Sequence, residues 1–306
     1  MTVVRRPEDL YSLLTDEVDL GRPVLVHSMA GFLDAGSAGR LAVEQLTSTL
    51  PRALLAQFDI DDLYDYRARR PRMTFLSDHY ASVELPQLSL SQLTDLEGTA
   101  FLLLHGAEPD FGWQRVVDAA TQLVDRFGVR LTVGMHAIPW PAPHTRPVGL
   151  TAHATDRSLV ADRTSWVGAL EVPGHLAGLL ELSLGRAGHD AMGFAAHVPH
   201  YLAAGEHPRA ALALLEAVSS ATGLVLPLDS LREAADRSDH ETTAQIAANP
   251  ENVEAVQALE TQYDAFVSQR GSLLADDAAQ LPSADELAEQ VEQFLAEMDA
   301  RGRDDT

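Results

Sequence analysis

Short apolar runs alternate with longer amphipathic segments along most of this sequence, and that alternation limits the possible folds more than any other feature. Thr99–His105 is a continuous apolar run, which is typical of a central strand covered on both faces. Apolar residues then recur at three- and four-residue steps from Trp113 to Phe127, which predicts a helix with one apolar face. This order predicts an α/β fold with a mixed, mostly parallel sheet and helices on both faces.

The same patterns place the other elements of the fold. The predicted strands are Pro23–Met29, Ala53–Phe58, Arg130–Met135, Val148–His153 and Ala191–Val198, and the further helices are Ser37–Leu50, His175–Ala187 and Pro208–Thr222. Met73–Leu76 and Tyr80–Val83, which three polar residues separate, predict a hairpin.

The sequence becomes strongly acidic after Leu226. Residues 227–306 hold 19 Asp or Glu and 5 Arg. Apolar stripes at Val253–Val267 and Leu287–Met298 predict two helices, with a linker at Gln269–Ser283 between them. We therefore divide the chain into a core, residues 1–226, and an acidic helical C-terminal extension, residues 227–306. The stripes either dock on the chain's own core or, for at least one of them, pack against a second subunit or another partner.

Composition excludes several classes of function. The chain has no cysteine, which excludes disulfides, thiolate metal sites and a catalytic thiol, and no lysine, which excludes Schiff-base enzymes and a Walker P-loop. A net charge of −23 argues against binding to nucleic acid or to an anionic membrane. With no secretory signal and no apolar run of membrane-spanning length, we expect a cytoplasmic protein without a cofactor.

A glycine-rich turn follows the first long predicted strand. Gly31, Asp34 and Gly36 lie in the sequence GFLDAGSAG, between that strand and a helix. Free amides at such a turn can receive an anion, whereas Asp34 would repel a phosphate unless it caps the helix. The alternative is that the glycines permit a tight turn and close packing. We count these three residues as candidate binding residues.

The most unusual stretch is HAIPWPAPHTRP, residues 136–147, in which four prolines stiffen the backbone. Trp140, His144 and Arg146 are carried on it, and preordered aromatic and arginine side chains favour a binding surface. A rigid buried crossover with Arg146 paired to a carboxylate is equally consistent with the pattern. His200 and Tyr201, in HVPHYL, complete the set of candidate binding residues.

Twelve histidines raise the question of a metal or a catalytic site. His27, His105 and His136 each stand at the carboxyl end of a predicted strand, where α/β sheets place their ligand crevice. The sequence has no HExxH and no GxSxG, and its acidic residues do not fall into a ligand spacing. We therefore predict no metal ligands and no catalytic residues.

Several segments together resemble the PAC2 family, which is named for a proteasome assembly chaperone subunit. They are PVLVHSMAGFLDAGSAG, LLLHGAEPDFGW, PHTRPVGLTAHAT, HVPHYL, HPRAALALLEAV and LETQYDAF, in the same order as in the family, from about residue 20 to 268. The acidic C-terminus and the lysine-free composition are similar to the actinobacterial branch. The resemblance implies a phosphorylase/hydrolase-like α/β core, usually oligomeric, and chaperoning or binding of proteasome subunits.

The resemblance and the lack of a complete catalytic set predict a protein-binding or assembly factor. Its partner is another protein, for which the resemblance implies a proteasome-related one, or a second copy of the chain in a homo-oligomer. Proteasome-binding relatives often end in a hydrophobic–Tyr–any-residue tail, and this sequence ends in Asp-Asp-Thr, so we expect no docking of that kind. The alternative is a hydrolase- or phosphorylase-like enzyme acting on a small molecule in a strand-end pocket.

Overall fold

The computed structural model describes residues 6–14, 20–161 and 169–273. Within these ranges the strands are β1 (Tyr11–Leu13), β2 (Val24–Ala30), β3 (Arg52–Phe58), β4 (Arg72–Leu76), β5 (His79–Glu84), β6 (Leu88–Thr94), β7 (Ala100–Ala107), β8 (Leu131–Trp140), β9 (Leu150–Ala154) and β10 (Ala191–Pro199). The α-helices are α1 (Ala38–Thr49), α2 (Trp113–Arg126), α3 (Leu176–Arg186), α4 (Pro208–Thr222), α5 (Asp229–Ala247) and α6 (Pro250–Leu273).

Eight of the strands form one mixed sheet in the order β1-β3-β6-β7-β2-β8-β10-β9. Its centre is parallel, because β2 pairs in parallel with β7 and β8, and β8 pairs in parallel with β10. Antiparallel strands extend the sheet at both ends. The predicted α/β fold with a mixed sheet built around parallel strands is confirmed.

Helices cover both faces of the sheet and divide the interior into two apolar clusters. Alternate residues of β7 point to opposite faces, so Leu103 joins the cluster under α1 and α4, while Leu102 and Leu104 join the cluster under α2 and α3. Each long apolar strand therefore contributes to two cores. That double coverage is why β7 reads as a continuous apolar run in the sequence.

Most of the predicted elements are confirmed, including the hairpin, which is β4–β5. The sequence analysis did not predict β1 or β6. The predicted linker at Gln269–Ser283 is wrong at its start, since α6 continues to Leu273, and the Leu287–Met298 stripe lies outside the described residues. No helix in the described ranges is long and apolar enough to span a membrane.

The acidic extension begins with a helix that shares the core of the sheet. Leu231 and Ala235 of α5 are buried in the cluster that α1 and α4 cover. In α6 the predicted stripe is mostly half-buried, and only Val256 reaches a buried position within the described part of this helix. The division at residues 226 and 227 stays a prediction.

Gly106 is the tightest backbone position in the sheet. It lies in β7 opposite Leu88, with φ at +136°, and a Cβ placed on it would lie 1.9 Å from the carbonyl oxygen of Gln87. Backbone atoms of a paired strand cannot move aside as a flexible side chain can. A glycine is therefore required at position 106, where the end of β7 passes close to the backbone of Gln87 just before Glu108.

Replacing Gly106 with alanine tests this requirement. We expect Gly106→Ala to lower the free energy of unfolding by about 3 kcal/mol or more, because a strained φ and a backbone clash add together. Gly98→Ala is the matched control, since Gly98 also has a positive φ, +88°, but nothing lies within 4 Å of its added Cβ. Urea denaturation of both variants measures the difference, and equal losses would contradict the argument.

Candidate functional site

A cleft lies at the point where neighbouring parallel strands send their chains to opposite faces of the sheet. β2 is followed by α1 on one face, and its neighbour β7 is followed by α2 on the other. The loops at the carboxyl ends of these two strands must therefore diverge, and in open α/β sheets that crevice is where ligands bind. The cleft here has a volume of about 650 Å³, and we call it the switch-point cleft.

The switch-point cleft is lined from both strands and from the segment before the hairpin. The lining residues are Ala30, Gly31, Phe32, Asp34, Ser37, Arg40, Arg69, Glu108, Pro109, Asp110 and Trp113. Of the candidate binding residues from the sequence, Gly31 and Asp34 belong to this lining. The sequence analysis missed Glu108, although it stands immediately after a buried strand in the segment LLLHGAEPDFGW.

Glu108 holds the two sides of the cleft together. One of its carboxylate oxygens accepts a hydrogen bond from the Phe32 amide at 3.2 Å, and the other accepts one from the Leu176 amide, at the start of α3, at 2.8 Å. Its carboxylate passes directly over Gly31, where a Cβ would lie 2.0 Å from Oε2. The glycine is therefore explained by the carboxylate that crosses it.

Arg69 connects the segment before the hairpin to Glu108 and Asp110, which follow β7. Its Nη2 donates to the Glu108 carbonyl oxygen at 2.6 Å and lies 2.8 Å from a carboxylate oxygen of Asp110. The guanidinium group also stacks over the Tyr64 ring at 4.2 Å. The contacts of Arg69 with Glu108 and Asp110 join residues about 40 positions apart in the sequence. No local pattern could therefore indicate them.

Asp34 and Gly36 shape the turn that leads into α1. The Asp34 carboxylate accepts hydrogen bonds from the Gly39 and Arg40 amides at 2.6 and 3.1 Å, so the carboxylate occupies the amides that an anion would need. Burial raises the pKa of Asp34, and the hydrogen bonds from these two backbone amides lower it in part. Gly36 lies behind the turn with φ at +65°, packed against His207. The glycine-rich sequence thus makes a tight turn, and its anion-binding alternative does not fit.

The proline-rich segment starts beside the switch-point cleft, where Ala137 forms a parallel β-bridge with Asp34, and its later residues contact the C-terminal helices. Arg146 pairs with Asp264 at 2.7 Å and with Glu260 at 3.1 Å, both on α6. Trp140 stacks on His197 with 4.0 Å between ring centroids. Arg146 is therefore paired to carboxylates of the same chain, as one of the two interpretations expects, while the segment that carries it is only partly buried.

His144, His200 and Tyr201 surround that crossover. The Tyr201 hydroxyl accepts a hydrogen bond from the His144 amide at 2.8 Å, and the His200 and Tyr201 rings lie 5.3 Å apart. The His144 ring also lies 3.3 Å from the Thr243 hydroxyl on α5. The structure therefore brings Trp140, His144, Arg146, His200 and Tyr201 together, and none of the five lines the switch-point cleft, in which Gly31 and Asp34 lie.

Two histidines and two glycines form a row across the sheet on the face that α3 covers. His27 of β2 lies opposite Gly134 of β8, Gly134 lies opposite Gly193 of β10, and Gly193 lies opposite His153 of β9. Both imidazoles lean over the glycines, because a Cβ on Gly134 or Gly193 would lie 3.0 or 2.4 Å from the nearest ring atom. We call these four residues the imidazole row.

His136 and His175 lie close to the imidazole row. The His136 ring centroid is 5.5 Å from that of His153 and 5.4 Å from that of His175. Burial, together with the charge of the neighbouring imidazoles, lowers the pKa of His27 to about 4 and that of His136 to about 3. In the part of the chain that the structure describes, no three of its His, Asp and Glu residues are placed to hold a metal ion.

Acid should destabilise the fold through these histidines. Their folded-state pKa values lie below the unfolded value of 6.5, so they have no effect well above pH 6.5 and favour unfolding as the pH falls below it. Between pH 7.5 and 5, we expect each histidine to lower the free energy of unfolding by about 2 kcal/mol. Urea denaturation of wild type and His136→Gln at both pH values measures this.

The variant should lose about 2 kcal/mol of the pH-dependent decrease. It should keep the part that comes from the other histidines whose pKa burial lowers, which are His27, His105, His144, His175, His200 and His207. His79→Gln, at an exposed histidine on the hairpin, serves as the control and should keep the wild-type dependence. An unchanged pH dependence in His136→Gln would show that its imidazole is not a source of the acid sensitivity.

Glu108 offers a second test. In Glu108→Gln an NH2 group replaces one of the two carboxylate oxygens, so one of the two backbone N–H groups loses its acceptor. We expect this change to lower the free energy of unfolding by about 1–3 kcal/mol. Glu97→Gln, at an exposed glutamate, should change it by less than about 0.5 kcal/mol. Similar values for the two variants in urea denaturation would exclude the bridging role of Glu108.

The sequence and the fold of this chain are similar to those of known proteins. The PAC2 family model matches residues 28–246. A Mycobacterium tuberculosis protein of unknown function, Rv2714, is 45% identical, with a TM-score of 0.83 over 86% of this chain and 92% of that one. A Corynebacterium glutamicum protein of unknown function is 32% identical, with a TM-score of 0.81 over 85% and 99% of the two chains.

A third relative carries a functional description. The Mycobacterium tuberculosis proteasome-assembly chaperone homologue Rv2125 is 28% identical, with a TM-score of 0.70 over 76% of this chain and 99% of that one. No curated protein matches the chain at a significant level. Because the family model covers well over half of the sequence, this chain belongs to the PAC2 family.

Proposed function

We propose that the protein is a cytoplasmic assembly factor that works by protein–protein contact, as a homo-oligomer with a proteasome-related partner. The hairpin β4–β5 is the observation that carries the proposal. Family membership and the description of Rv2125 as a proteasome-assembly chaperone homologue support the proteasome-related partner.

The hairpin exposes apolar side chains along its whole length. Met73, Phe75 and Tyr80 are 56%, 55% and 68% exposed, and every residue from Arg72 to Glu84 is exposed. Within the described residues, β4 and β5 pair only with each other. Because an isolated two-stranded hairpin is marginal in water and clustered exposed apolar side chains mark contact sites, the hairpin requires a protein surface to cover it.

The charge at the base of the hairpin indicates what that surface is like. Arg67, Arg70 and Arg72 are exposed there, in a chain whose net charge is −23. The exposed acidic residues of α5 and α6, which include Glu233, Glu241, Glu251 and Glu254, provide the opposite charge on a second copy. Electrostatic complementarity of this kind favours self-association.

The enzyme alternative receives less support from the geometry. His27, His105 and His136, the histidines at the ends of predicted strands, do not line the switch-point cleft. His27 is buried, His136 is half-buried beside His175 at the start of α3, and both have pKa values that keep them neutral at pH 7. General acid–base catalysis in the cleft would need other residues.

Self-association is tested by making the hairpin polar. Phe75→Asp combined with Tyr80→Asp should convert an oligomer into a 33.1 kDa monomer, measured by light scattering and native mass spectrometry. The control is Leu96→Asp, at a side chain that is 62% exposed outside the hairpin, and it should keep the wild-type mass. A monomeric wild type, or an oligomer that tolerates the hairpin changes, would refute this part of the proposal.

The proteasome-related partner is tested separately with purified proteasome α-subunits. We expect wild type and Leu96→Asp to bind them and the monomeric double hairpin variant to lose binding by at least tenfold, since a monomer cannot engage several subunits at once. Equal binding by all three proteins would exclude the hairpin, and no binding by wild type would exclude the partner.

A further inference from the structure

Carboxylates outnumber guanidinium groups around the switch-point cleft. Its lining includes Asp34, Glu108 and Asp110, against Arg40 and Arg69. Arg40 is itself held by two further carboxylates, those of Glu44 at 2.6 Å and Glu206 at 2.5 Å.

Both cations of the cleft are therefore compensated within the chain. Arg69 pairs with Asp110 at 2.8 Å, and Arg40 pairs with its two glutamates. Among the lining residues, Asp34 and Glu108 form no ion pair, although the charge of Arg40 acts on Asp34 at longer range. Each of these two carboxylates accepts hydrogen bonds from two backbone amides and keeps further lone pairs that could accept from a ligand. The unbalanced charge of the cleft is negative.

The cleft also holds aromatic side chains on its two sides. Phe32 follows β2 and is 68% exposed, and Trp113 begins α2 after β7. The indole N–H is already bonded to the Pro109 carbonyl oxygen at 2.6 Å, so Trp113 contributes mainly its ring to a ligand. Aromatic faces attract ammonium and guanidinium groups, and more strongly where water is excluded.

From these three observations, namely the position of the cleft, its excess of carboxylates and its aromatic sides, we propose that the switch-point cleft binds an arginine or lysine side chain of a partner protein. The inference rests on the protein-binding function proposed above and gives the partner a chemical signature. The partner's cation lies between Phe32 and Trp113 and pairs with Asp34 and Glu108. A volume of about 650 Å³ accommodates a long side chain with its flanking backbone.

A desolvated carboxylate gives a physical reason for this preference. Asp34 has a raised pKa because it is buried, so its ionised form lacks part of the hydration that it would have in water. A cation that enters the cleft replaces that hydration. The exposed Phe32 ring is covered at the same time, which removes apolar surface from water.

The test uses the full-length protein and two peptides that differ in one charged group. Acetyl-Gly-Arg-Gly-amide and its citrulline counterpart have nearly the same shape, but only the first is cationic. We expect the arginine peptide to bind at least about tenfold more tightly, by calorimetry or NMR titration, since a cation–π contact and a partly buried ion pair together supply a difference of this order. Added salt should weaken its binding.

Three variants locate the binding. Phe32→Ala and Glu206→Gln change exposed side chains, so both should fold normally. We expect each to weaken arginine-peptide binding severalfold, the first by removing the ring and the second by leaving Arg40 with Glu44 as its one remaining glutamate partner. Phe75→Ala on the hairpin is the control and should bind like wild type.

Several results would overturn the inference. Equal affinity for the arginine and citrulline peptides, or no detectable binding of either, would show that the cleft has no preference for a cation. Binding that survives in Phe32→Ala and Glu206→Gln would place the site elsewhere. Argininamide or spermidine binding as tightly as the peptide would assign the cleft to a free small cation.

The proposed function itself is judged by other measurements. If hairpin-dependent association is observed while the arginine peptide fails to bind, only the cleft inference falls. If the peptide binds while the hairpin variants leave association unchanged, the hairpin is excluded and the cleft remains the contact site.

Discussion

The parallel pairing of β2 with β7 is the constraint on which the rest of the molecule depends. Because these neighbours send their chains to opposite faces, α1 and α2 cannot pack against each other, and the loops before them separate. Glu108 then bridges the separated loops and also caps the start of α3. The parallel pairing of these two strands thus produces the cleft, the bridging position of Glu108 and the placement of α3.

The two exposed features of the fold differ in how they are stabilised. The switch-point cleft is held by a network of hydrogen bonds and ion pairs within the chain, so its shape is set before any contact. The hairpin has only its own two-stranded ladder, and its apolar side chains face water. We propose the first as a preorganised recognition site, and the second as an arm whose ordering depends on the surface that covers it.

Local patterns in the sequence predicted the helices, the parallel core strands and the hairpin, because each depends on periodicity within a single segment. They missed β6, although Leu88, Leu90 and Leu93 are buried there, since Ser89 and Ser91 are buried as well and the pattern is too short to stand alone. Resemblance to a known family added the fold type and the family itself.

The candidate site was less accessible to prediction. Gly31 and Asp34 could be selected from a strand–turn–helix pattern, but Glu108 and Arg69 join them only through contacts that span tens of residues. The role of Arg146 was undecided for the same reason, since its partner Asp264 is 118 positions away. Composition and spacing describe one segment at a time, whereas the site is made where segments meet.

The imidazole row has a consequence for how sequences of this type can diverge. Gly134 and Gly193 leave room for the rings of His27 and His153, so a side chain at either glycine would displace an imidazole. Conversely, a smaller residue in place of either histidine would open a gap that only a larger residue at the facing glycine could fill. Each glycine and its histidine should therefore be inherited as a coupled pair, and one member should change only when the other does.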